Sequence, residues 1–134
     1  MKKGYITNIE QETVSNNNFR KVLYTSEHMQ LVVMSLEPGE DIGKEVHKTI
    51  DQFIRIESGM GAAFINGIET SIQTGDAVVI PAGAEHNITN TGDMPMKLYT
   101  LYGGPEHKDQ VIQATKADAE ARHPHERFDG VTTE

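Results

Sequence analysis

Residues 75–90 run from Gly75-Asp76 through Ala77, Val78, Val79 and Ile80 to Pro81, Gly83, His86 and Asn90. No other stretch limits the fold as much. Gly75-Asp76 is a turn signal. The four residues after it form a short apolar, β-branched run, the pattern of a buried strand. Pro81 cannot donate a ladder hydrogen bond, so it ends that strand. Gly83 opens backbone conformations that are strained for other residues, and the chain can turn back there. His86 then begins a second strand, which fixes its imidazole to the scaffold.

A second segment, Gly39 to Gly59, carries Glu45, His47, Asp51 and Gln52. Together the two segments resemble the paired motifs of the cupin superfamily. The downstream motif, G-x5-P-x-G-x2-H-x3-N, is met at Gly75, Pro81, Gly83, His86 and Asn90. The upstream motif, G-x5-H-x-H-x3-4-E-x6-G, is met at Gly39, His47 and Gly59. Glu45 stands at its first histidine and Gln52 at its glutamate. The chain is similar to short single-domain cupins of the mannose-6-phosphate-isomerase-like kind. The resemblance implies an all-β, double-stranded β-helix (jelly-roll) barrel with a divalent metal ion between His47 and His86. It also implies a homodimer.

Composition sets the remaining bounds. A length of 134 residues suits one domain, 1–134, with a barrel core over about 19–104 and a helix and tail over about 105–134. The formal net charge of −8 argues against nucleic acid as a partner, because phosphate backbones need clustered Lys and Arg. The chain has no cysteine, which excludes disulfides and thiol catalysis and fits a reducing compartment. Thr7-Asn8 interrupt any signal-peptide core, and no apolar run approaches membrane-spanning length. A cytoplasmic protein with no membrane partner is the expectation.

Turn signals divide the rest into short strands. These are expected at 19–25, 29–36, 46–47, 52–57, 62–65, 68–73, 77–80, 86–90 and 96–102, with Asn66-Gly67 as a two-residue hairpin. Residues 8–18 read as polar, with a loop at Asn16 to Asn18. Thr115 to Arg122 predicts a short helix with a capping box from Thr115 to Asp118. From His123-Pro124 onward the chain reads as a solvated tail.

Side chains two apart on a strand share a face. Glu45 and His47 therefore point together. Gln52, Ile54 and Ile56 also point together, and their two apolar members mark that face as inward. Asp51 points outward. Glu45, His47, Gln52 and His86 are thus the candidate metal ligands, for Fe, Mn, Zn or Ni. Gln52 alternatively orients a bound water or substrate. Glu45 and Tyr99 are the candidates for moving protons or donating hydrogen bonds to substrate. His107 reads as a surface-loop residue that alternatively closes one barrel mouth, and His123, His125 and Glu126 as part of the tail. Three functions stay open: a metal-dependent enzyme on a small polar molecule such as a sugar or sugar phosphate, isomerase-like; a non-haem metal dioxygenase; and a non-catalytic small-molecule binder.

Overall fold

The computed structural model describes residues 1–134. Its elements are α1 (Ile9–Ser15), β1 (Arg20–Thr25), β2 (Gln30–Leu36), β3 (Glu45–Val46), β4 (Asp51–Ser58), β5 (Met60–Ile65) and β6 (Ile68–Gln73). Next come β7 (Ala77–Ile80), β8 (Glu85–Asn90), β9 (Met96–Gly103), β10 (Ile112–Gln113), α2 (Lys116–Arg122) and a 3-10 turn (His123–His125). Two antiparallel sheets face each other, in the orders β10-β1-β2-β9-β4-β7 and β3-β8-β5-β6. This is the double-stranded β-helix of the expectation, with the short C-terminal helix in place.

Alternation decides what the sheets enclose. On β4, Gln52, Ile54 and Ile56 are buried while Asp51 is exposed. On β9, Met96, Leu98, Thr100 and Tyr102 are buried and alternate with half-buried Lys97, Tyr99 and Leu101. Val32, Met34 and Leu36 of β2, Ile88 of β8 and Ile72 of β6 complete the core. Gly61 on β5 is a close-approach position. A Cβ there would stand 2.2 Å from both the Thr89 carbonyl oxygen and Met96 Cε, so only glycine lets β5 lie this close to β8.

Two regions differ from expectation. Residues 9–15, read only as polar, form a helix, and the loop expected at Asn16 to Asn18 follows it. Asn8 caps the helix by accepting from the Gln11 N–H, and Thr13 is its one buried residue. An amphipathic stripe this narrow leaves no clear periodicity to read. The tail is also ordered. Thr115 caps α2 by accepting from Asp118 N–H, as the capping box predicts. Beyond it, backbone hydrogen bonds join Lys108 to Glu126, Phe128 to Glu106 and Thr133 to Thr25. The Glu134 carboxylate accepts from the backbone N–H groups of Lys3 and Gly4 and from the Tyr24 hydroxyl. Main-chain pairing holds this segment, so its polar composition concealed its order. No helix is long and apolar enough to cross a membrane.

Candidate metal centre

The antiparallel pairing of β3 with β8 sets Glu45 opposite His86. His47 follows Glu45 by two residues and points the same way. The Pro81–Ala84 turn reaches back to hold it, because Gly83 N–H donates to the His47 carbonyl at 2.8 Å. Gly83 has φ +90°, so the turn requires a residue without a Cβ penalty. The two sequence motifs are therefore joined by a hydrogen bond directly behind the site. One ligand atom from each of Glu45, His47 and His86 lies within 4.8 Å of the other two.

The donor chemistry fits a divalent cation. His86 Nδ1 lies 2.9 Å from the Ala84 carbonyl, which can only accept. Nδ1 therefore carries the hydrogen and Nε2 keeps a lone pair. His47 Nε2 lies 3.0 Å from Glu45 Oε2, yet it is buried and makes no aligned hydrogen bond. Two donors each about 2.1 Å from one ion stand roughly 3 Å apart, which is this spacing. Gln52 is buried on the inner face of β4. Its amide N–H donates to Thr100 Oγ1 at 3.0 Å, and its Oε1 is buried without a partner. A buried ring nitrogen and a buried amide oxygen, neither with an aligned partner, are costly in one barrel interior unless something completes them.

Charge at the site is arranged to match. Burial pushes the Glu45 carboxyl up, but the imidazole of His47 beside it outweighs that and holds it below the usual range. The Glu45 contact raises His47 above its ordinary value, burial opposes this, and Glu106 adds to the rise. Glu106 Oε2 lies 3.6 Å from His47 Nδ1, on the far side of the ring from Glu45. A cation at Nε2 would replace the proton this pair otherwise shares.

Several residues lie elsewhere than expected. Tyr99 is not at the site. It alternates out of the barrel on β9 and packs against Phe53, with ring centroids 6.3 Å apart. Parity puts Tyr102 inside instead, with its ring 5.9 Å from that of His47. His107 is not a surface-loop residue: it is buried, with Nε2 3.3 Å from the Tyr102 hydroxyl. Burial first, and then the Arg20 charge, depress its pKa well below the ordinary value. Burial raises Tyr102, so its phenol stays protonated. Asp51 is exposed, as parity required, and accepts from Ala82 N–H.

The sequence reading missed two contributors. Glu106 follows a Gly-Gly-Pro turn, and nothing in its surroundings marks it. Arg20 is a fully enclosed arginine on a strand, where composition predicts an exposed one. His123, Arg127 and Phe128 of the C-terminal segment join Glu45, His47, Lys48 and Glu106 around a cavity of about 450 Å³. The segment that read as solvated tail is thus one wall of the site.

The cupin domain family matches residues 32–102, more than half of the chain and both motifs. The chain belongs to the cupin family. Among curated proteins, this cupin is 42% identical to the uncharacterised protein YrkC of Bacillus subtilis, over 89% of this chain and 67% of YrkC. Among solved structures, BH2720 of Bacillus halodurans superposes with a TM-score of 0.87 at 41% identity, covering 89% of this chain and 95% of that one. A Thermotoga maritima protein described as a predicted oxalate decarboxylase superposes with a TM-score of 0.55 at 27% identity. It covers 56% of this chain and 65% of its own.

Proposed function

We propose that this cupin is a metal-dependent enzyme acting on a small polar, oxygen-rich molecule. The observation that carries this reading is the trio Glu45, His47 and His86, with ligand atoms within 4.8 Å of one another at the wall of a polar cavity. Glu45, His47 and His86 would hold a divalent cation, with Gln52 Oε1 as a neutral oxygen donor or as the group that orients a bound water. A cation there supplies Lewis acidity, polarising a carbonyl or hydroxyl oxygen of the substrate.

The protein's own residues do the rest. With Glu45 committed to the ligand set, Glu106, whose Oε2 lies 3.6 Å from His47 Nδ1, is the other carboxylate at the cavity and the one to move a proton. Lys48 and Arg127 line the same cavity and favour a substrate with negative charge. The C-terminal segment supplies one wall of that cavity through His123, Arg127 and Phe128. Proton transfer beside a polarised carbonyl is the step a sugar or sugar-phosphate isomerase needs. Small carboxylic acids enter the candidate list through the Thermotoga maritima neighbour.

The test combines elemental mass spectrometry with turnover assays on sugars, sugar phosphates and small hydroxy acids. About one manganese, zinc or nickel per chain, with turnover lost in Glu106→Gln while the metal stays, supports the reading. A metal-free protein that takes up no divalent ion on reloading overturns it. A dioxygenase is the second reading, favoured by a two-histidine, one-carboxylate set that leaves coordination positions open. Bound iron together with oxygen uptake would select it.

A further inference from the structure

Arg20 is only 4% exposed, on the inner face of β1, where its strand partner is Met34. No carboxylate lies within ion-pair distance of it. Nη1 donates to Gln113 Oε1 at 2.8 Å, and Gln113 is itself held by donating to Glu126. Nε is buried with no partner. The lysines that line the same cavity are neutralised: Lys116 pairs with Asp41, and Lys44 with Glu85 at 3.5 Å. Arg20 is enclosed and charged with no carboxylate in ion-pair contact; the Tyr102 hydroxyl and the more distant Glu45 charge are the other groups that face it. It lines a second cavity of about 290 Å³ that shares Glu45 and His123 with the first. That volume equals roughly ten waters, room for a small acid and little more.

A buried guanidinium without an anion is costly, and removing it would be easy for a chain that needed only a barrel. Glu45 does not answer the charge if it serves the cation. The guanidinium fork matches a carboxylate through two parallel N–H donors, a match an ammonium lacks. Gln113 holds one edge of that fork through Nη1 and leaves Nε buried and unpaired. We propose that Arg20 anchors the carboxylate of a small hydroxy or oxo acid, seated in the 290 Å³ cavity, whose oxygen-bearing other end reaches the metal centre. This rests on the metal-dependent reading and names its substrate class.

The experiment titrates glycolate, its neutral isostere glycolamide, and inorganic phosphate into the purified protein by calorimetry, with and without bound Co²⁺. The visible absorption of Co²⁺ reports separately whether the metal centre forms. The expected result is that glycolate binds at least about tenfold tighter than glycolamide and phosphate. Arg20→Met should erase that preference, and Arg20→Lys should restore only part of it. Should Arg20→Met not fold, Gln113→Glu offers the guanidinium an internal carboxylate and should compete glycolate out by about as much. Equal binding of glycolate and glycolamide by the wild type overturns the proposal. So does glycolate affinity in a folded Arg20→Met within twofold of wild type. Tighter binding of phosphate than of glycolate reassigns the site to phosphate esters and overturns the carboxylate assignment. Absent Co²⁺ absorption counts against the metal centre alone, because the glycolate preference is still read on the metal-free protein.

Discussion

The barrel interior has an apolar end and a polar end, and β4 and β9 run through both. On β4 the same inward face carries Gln52 and then Ile54 and Ile56. On β9 it carries Tyr102 and Thr100 and then Leu98 and Met96. Across the sheet the registers agree: Gln30, Tyr102 and Gln52 stand side by side, and so do Met34, Leu98 and Ile56. Four residues of strand, about 13 Å, separate a wall of amides and a phenol from a closed hydrocarbon layer. Alternation continues through both ends, so the backbone does not register the change. The apolar end therefore sets the barrel, and the polar end is free to differ in chemistry without refolding it. If that division holds, changes at one end alter metal and ligand binding and changes at the other alter stability, with little crossover.

The sharpest test of the division is His86→Ala. Loss of a ligand must exceed the 10–100-fold that changes behind a ligand cost, and we expect a loss of about 1,000-fold in metal affinity, about 4 kcal/mol. The metal-free variant should melt close to the metal-free wild type. Retained metal, measured by elemental mass spectrometry, would remove His86 from the site. A metal-free melting point lowered by more than a few degrees would show that the two ends are not separable.

Leu98→Ala probes the other end. Leu98 is fully buried between Met34 and Ile56 in the register of the sheet. Truncation should cost about 3 kcal/mol, from lost burial plus the cavity left behind. Urea denaturation of the metal-free protein measures it. The folded fraction should still bind metal at the wild-type stoichiometry; a drop would mean that the core layer positions the ligands.

The two ends were unequally legible in the sequence. The apolar end is alternation, and alternation can be read directly: β6 and β7 begin and end where turn signals put them, and Gln52, Ile54 and Ile56 point as predicted. At the polar end, His47 and His86 were found because the motif fixes their spacing to the Pro81–Gly83 turn. Tyr99 was misplaced although its parity was available: Leu98, Thr100 and Tyr102 are the inward set on β9. Arg20, Glu106 and His107 were missed or misread for a different reason. Their burial depends on β10, α2 and the ordered tail closing over them, contacts between residues some 80 to 100 positions apart such as Arg20 to Gln113. Local pattern carries no record of such contacts.

Gln52→Glu tests whether the polar end tolerates a change of charge. Thr100 now accepts from the Gln52 amide, and its hydroxyl can rotate to donate to a carboxylate instead. An added negative ligand should tighten divalent-metal binding by about tenfold, about 1.4 kcal/mol. Affinity unchanged or reduced would mean that Gln52 Oε1 does not face the ion. Metal titration against a competing chelator decides between these.

His107 gives the smallest effect and the finest test. It is buried beside Tyr102, and Arg20, His123, His47 and Arg127 all add positive charge around it. Its folded pKa lies well below the ordinary value of 6.5, so the unfolded chain takes up a proton that the folded one refuses. The stability this gives is present above about pH 6.5 and is lost as pH falls below it. His47 works in the opposite sense: its raised pKa contributes stability below 6.5 that is lost as pH rises. A single pH profile therefore mixes the two, whereas the difference between wild type and His107→Gln isolates His107. That difference should shrink as the pH is lowered, by denaturant titrations of the metal-free protein at pH 7, 6.5, 6 and 5.5. A difference independent of pH would mean that His107 takes its proton in the folded state, and that the polar end is wetter than its burial implies.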